Sequence, residues 1–110
     1  MQNYKLGEFD GIQIVQNLDT KVFYLTIYGY AKMAEVDVAT VERKARNEVK
    51  NNKVLDLRQN GLDGVKGRYL IPVELIFTWL MIDSPIKAVL IGTKGVAASI
   101  AEMFSNSIGE

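Results

Sequence analysis

Between Gly11 and Gln16 the chain reads GIQIVQ, an imperfect alternation of apolar and polar positions, and the turn-forming run NLDT follows at 17–20. The next segment, Lys21 to Ala31, is dense in β-branched and aromatic residues, with Phe23, Leu25 and Ile27 on one side and Tyr24, Thr26, Tyr28 and Tyr30 on the other. The two runs predict a β-hairpin, and Gly29 in the second predicts a bulge or a close approach by neighbouring backbone. The period then changes. Val38, Val41, Ala45 and Val49 recur at three- and four-residue steps with charged residues between them, which predicts an amphipathic helix capped by Asp37 and supported by Glu42 four residues before Arg46. Asn51 and Asn52 end it, and VLDLR at 54–58 predicts a short strand.

Residues 59–68, QNGLDGVKGR, form a glycine-rich connection that is either functional or merely spacious. The window YLIPVELIFTWLMI at 69–82 fits two patterns. As a strand, its odd positions are all apolar; as a helix, Pro72 takes a tolerated first-turn position and Glu74 and Thr78 share a face. Proline is poorly tolerated in a central strand, so the reading adopted is a helix from Pro72 to Ile82. Its wheel directs Val73, Ile76, Trp79 and Leu80 to a sheet and leaves Phe77 and Met81 outside beside Glu74 and Thr78. After Asp83, Ser84 and Pro85, IKAVLIGT at 86–93 predicts a buried strand, and Val96, Ala97, Ile100, Ala101 and Phe104 mark one face of a closing helix. Helices alternating with strands then imply an α/β fold, with a mixed, mainly parallel sheet of four to five strands and helices packed on it in a single domain, 1–110.

Composition narrows the chemistry. The 110 residues include no histidine and no cysteine, which excludes Ser-His-Asp and Cys-His catalysis, CxxC redox chemistry and ordinary zinc sites. Thirteen basic groups balance thirteen acidic ones, so a counterion-release mechanism of nucleic-acid binding has no basic excess to draw on. No stretch approaches the ~18 apolar residues of a membrane span, and the first residues lack a signal-peptide core. A cytoplasmic, metal-free and cofactor-free protein is expected.

Three segments resemble the STAS domain, the family of sulfate transporter domains and anti-sigma factor antagonists: YGYAKMAEVD before the first long helix, VLDLR after it, and IKAVLIGT before the closing helix. The resemblance covers nearly the whole chain and implies a STAS-like sheet and a regulatory role. In that family the loop after the VLDL-like strand carries an Asp-Ser-Ser/Thr-Gly turn phosphorylated by a kinase partner. Asp63 and Gly67 match its ends, but no serine or threonine stands between Thr40 and Thr78, so a phosphate switch in this loop is excluded. A degenerate member is therefore implied, with a kinase-like anti-sigma factor or another signalling protein as partner and a homodimer as a further option.

Other features have simpler explanations. Asp56 in its apolar strand reads as a carboxylate accepting backbone hydrogen bonds rather than as a catalytic acid. Thr93, Lys94 and Gly95 precede a helix without Walker spacing. The basic residues of the first long helix are interleaved with Glu42 and Glu48 as on a solvated face, and Tyr24, Tyr28 and Tyr30 read as sheet packing rather than as a base-stacking platform. The expected function is a non-enzymatic interaction module that docks a protein through loop 61–68 and helix 72–82, using Asp63, Gly64, Lys66, Arg68, Glu74, Phe77, Thr78 and Met81. The alternative is an assembly subunit in which 69–82 is a long strand driving homo-oligomerisation.

Overall fold

Asp10 and Gly11, both at positive φ (53° and 79°), form the two-residue turn that a tight hairpin requires, and they join β1 (Tyr4–Phe9) to β2 (Ile12–Asn17). The Lys32 ammonium donates to the Asp10 carbonyl at 2.6 Å and sits where a Cβ on Gly11 would stand. The computed structural model describes residues 4–57, 65, 67–92, 95, 98, 100–102 and 104–105. The predicted hairpin follows, with β2 and β3 (Phe23–Thr26) antiparallel. Its turn is built on Asn17, whose side-chain oxygen accepts from the Asp19 and Thr20 amides at 2.9 and 3.1 Å.

The second strand is shorter than its alternating pattern suggests. Thr26 stops it: the threonine hydroxyl accepts from the Gly29 amide at 3.0 Å and caps α1 (Ile27–Ala34), so a helix starts in the middle of the expected 21–31 strand. Ile27, Tyr30, Ala31 and Ala34, spaced as one helical face, are all buried. Gly29 is neither a bulge nor part of a strand; it lets α1 lie close to β2, where an added Cβ would come 3.1 Å from Ile12 Cγ2. The predicted amphipathic helix is α2 (Val38–Val49). Asp37 caps it by accepting from the Thr40 amide at 3.3 Å, and Val41 and Ala45 are fully buried.

Strands β4 (Leu55–Asp56) and β5 (Tyr69–Pro72) complete a five-stranded sheet ordered β1-β2-β3-β5-β4, in which every pairing is antiparallel. The expected mainly parallel, STAS-like sheet is thus corrected. Parallel neighbours need a crossover connection between them. Here the crossover made by α1 and α2 joins β3 to β4, and β5 inserts between those two strands, while β4 and β5 are adjacent in sequence and pair as a hairpin.

The expected strand at 86–93 is also overturned, since helix α4 (Pro85–Gly92) occupies it. The Ser84 carbonyl accepts the first helical bond from the Ala88 amide at 3.0 Å, and Pro85 stands at the first helical position, where a missing N–H removes no bond. Before it runs α3 (Val73–Asp83), the helix expected from Pro72 to Ile82. Only 69–72 of the window is extended, so the long strand of the alternative reading is absent.

One face of the sheet carries Ile12, Ile14, Leu25, Tyr69 and Ile71 into the main core, where they meet Tyr30, Val41, Ala45, Ile76, Trp79 and Leu80 from the helices. Backbone at Ala98, Ile100 to Glu102, Phe104 and Ser105 is helical, and Ile100 and Phe104 are buried as the closing-helix pattern predicts, with Phe104 edge-on to Phe23 at 5.2 Å. Val96 and Ala97 lie outside the described residues. On the other sheet face Val15 and Leu70 are buried with Leu57, flanked by Tyr4, Leu6, Tyr24, Leu55 and Val65.

Candidate protein-docking site

Helix α3 is apolar on nearly all sides. Leu75, Ile76, Trp79 and Leu80 face the core, whereas Glu74, Phe77, Thr78, Met81 and Ile82 are exposed, as the helical wheel predicts for Phe77 and Met81. Helix α4 repeats the arrangement: Ala88 is buried, while Ile86 and Val89 are 76% and 75% exposed. Between the two helices Phe77, Met81, Pro85, Ala88 and Val89 line a groove of about 300 Å³. Exposed aliphatic and aromatic groups gathered in one place mark interaction surfaces more often than solvated ones. Pro85, Ile86 and Val89 were missed in the sequence because 86–93 reads as a buried strand; Ser84-Pro85, a helix-opening pair, was the available signal.

A polar network pins this helical pair to the rest of the chain. Tyr30 on α1 donates its hydroxyl to Asp83 Oδ2 at 2.7 Å, and Lys44 on α2 reaches the same oxygen at 3.1 Å. The Lys44 ammonium also lies 4.7 Å from the centre of the Trp79 ring, which packs edge-on to Tyr30 at 5.5 Å. Burial, reinforced by the bond to Asp83, pushes the Tyr30 phenol far above its usual range. Past the junction, Ser84 donates to the Ala34 carbonyl at 3.1 Å, and Lys87 donates to the Met33 carbonyl and to Glu35, both at 2.6 Å. The bond from Lys87 holds the Glu35 carboxyl below the ordinary glutamate range. Asp83 and Lys87 are the charged residues between Leu75 and Gly92, and both are engaged by neighbouring elements.

The remaining sequence-derived site residues divide. Arg68 is turned to Asp56, donating from Nε and Nη2 to the two carboxylate oxygens at 3.0 and 2.8 Å, with its guanidinium 5.1 Å from the centre of the Tyr69 ring. That bidentate bond raises the guanidinium pKa and ties the two ends of the 57–68 connection together, beside the Leu57 amide bonded to the Arg68 carbonyl at 2.6 Å. Arg68 is thus a structural clamp rather than the free partner-binding group expected, and Asp56 accepts from this side chain where the sequence predicts backbone donors. Asp63, Gly64 and Lys66, like Thr93 and Lys94, lie outside the described residues. Glu74 and Thr78 line a second groove, of about 380 Å³, with Asn52, Lys53, Pro72 and Leu75, separate from the one lined by Phe77 and Met81.

The three tyrosines do not form a platform. Tyr30 is in the core, Tyr28 is half-exposed with its ring against Gly67, and Tyr24 lies on the sheet face away from the helices, its phenol pKa raised by burial and by Tyr4 and Glu74. On α2, Glu42 approaches Arg46 at 3.9 Å, both exposed as on a solvated face, whereas Lys44 departs from that expectation, being turned inward to Asp83 and Trp79. Among the described residues no group of three or more Asp or Glu side chains could hold a metal ion, and no helix is long and apolar enough to cross a membrane. No protein-family model matches the chain, and neither a curated protein nor a solved structure does.

Proposed function

We propose that the chain is a non-enzymatic interaction module, set in the cytoplasm, that docks a protein partner through the outer face of α3 and α4. The observation that carries this reading is the groove of Phe77, Met81, Pro85, Ala88 and Val89 with Ile82 and Ile86 exposed beside it. Such a face gains free energy when water leaves it, and its surroundings supply a polar rim at Glu74 and Thr78. An enzymatic role has less support. Asp56 is held by Arg68 and Asp83 by Tyr30 and Lys44, so neither carboxylate is placed to exchange a proton with a substrate. The partner class that the STAS resemblance implies, a signalling protein, is compatible with this face, although the contact is displaced from the glycine-rich loop toward α4.

The test is site-specific photo-cross-linking in cells, with a benzophenone amino acid placed at Val89 or, as a control, at Arg46 on the outer side of α2. Adducts should form from position 89 and not from 46, and Ile86→Glu in the same chain should suppress them without lowering the melting temperature. Equal adducts from both positions, or none from 89, would refute the reading.

A further inference from the structure

Resting on the reading of α3 and α4 as a docking face, we infer that its occupant is the same face of a second copy of this chain, related by a twofold axis. Charge argues for this occupant. Around a twofold axis each group near the axis meets its own kind, so a patch bearing free charge of one sign repels its copy. Asp83 and Lys87, the charged residues between Leu75 and Gly92, are both paired to α1 and α2, and Glu35 completes the pairing of Lys87. Among the described residues the patch thus has, apart from Glu74 at its rim, no exposed unpaired charge to repel a copy of itself, and no basic group to attract an acidic peptide, a nucleic acid or an anionic lipid surface.

Shape and area agree. Ile82, Ile86 and Val89 stand 72%, 76% and 75% exposed beside a groove whose walls are Phe77, Met81 and Pro85, so each copy presents both a ridge and a groove. Together with Phe77 and Met81 these side chains expose roughly 500 Å² on a scale of about 150–250 Å² per large side chain, near the upper end of what a monomer carries. Two such patches face to face remove roughly 1,000 Å² from water, the lower bound of a specific interface. A reversible dimer follows, rather than an obligate one.

Sedimentation equilibrium of the full chain over a concentration series tests this, with Ile86→Glu and Val89→Glu alongside and phosphatidylcholine vesicles as a competing apolar surface. The expected result is a mass rising about twofold, from one chain to two, with both variants remaining single chains at every concentration and wild type not sedimenting with vesicles. A wild-type chain that stays single throughout, or that sediments with vesicles while single, overturns the second-copy assignment and leaves the docking face to be judged by the cross-linking. A dimer indifferent to both substitutions likewise overturns the second-copy assignment, because the contact then lies elsewhere, and the docking face is again judged by the cross-linking.

Discussion

Helix α2 and the α3–α4 pair pack on the same sheet, but they end differently at the solvent. On α2 the apolar residues Val41 and Ala45 are fully buried and the outer face carries Arg43, Arg46 and Asn47, so the helix is complete in water. On α3 and α4 the inward residues Leu75, Ile76, Trp79, Leu80 and Ala88 are buried too, but the outer face is largely apolar, with Glu74 and Thr78 at its edge. The difference lies in where the charges go. Lys44 of α2 reaches across to Asp83 and Glu35 reaches Lys87, so Asp83 and Lys87 serve to fix the helices, and only Glu74, at one edge, puts an exposed charge on the described part of the pair. A helix apolar on nearly all sides is stable in water when something covers it.

The sharpest way to break this comparison is to truncate the two sides of the α3–α4 pair in turn. Leu80→Ala, at a fully buried position, should destabilise the chain by about 2–5 kcal/mol in urea unfolding. Val89→Ala on the outer side should change stability by less than about 0.5 kcal/mol. Equal losses would make the outer side part of the core.

Next in size is the pin between α1 and α3. Tyr30→Phe removes the hydroxyl that donates to Asp83 and should cost about 1.5 kcal/mol, Lys44 remaining on the carboxylate. The folded chain favours the protonated phenol. Its contribution is therefore fully present below the ordinary tyrosine value of 10.0 and is lost as pH rises beyond it, and the variant should flatten this alkaline fall in melting temperature. Thr26→Ala, which deletes the cap of α1, should cost about 1 kcal/mol by the same denaturation measurement.

The smallest expected effect is at Glu35. Its pKa is lowered by Lys87, so the pair contributes above the unfolded value of about 4.5 and is lost as pH falls through the lower folded value. Glu35→Gln should slightly flatten the acid limb of the melting curve and leave neutral pH nearly unchanged, because the carboxylate is exposed and screened.

Local signals made part of this molecule legible. The 3.6-residue spacing of α2, the Asp37 cap and the inner and outer sides of α3 follow from short-range pattern. Elsewhere two local patterns coexist. Phe23, Leu25 and Ile27 alternate as a strand, while Ile27, Tyr30, Ala31 and Ala34 repeat as a helix; the switch at Thr26 is decided by a hydroxyl capping an amide. Ile86, Val89 and Ile91 favour a strand by composition, and Ser84-Pro85 outweighs them by opening a helix. Asp10-Gly11 is a hairpin turn whose first strand, β1, lacks strong alternation. Strand order is not a local property. That β5 enters between β3 and β4, and that Arg68 finds Asp56 across the resulting hairpin, depends on pairing across the chain, which no window of residues encodes.

The outer α3–α4 face is surface rather than core. The most direct test of this is the melting temperature of the Ile86→Glu/Val89→Glu double variant at high dilution, where association with a second copy contributes little. The predicted result is a midpoint within about 4 °C of wild type. A fall of roughly 10 °C or more, of the size that core substitutions cause, would contradict it.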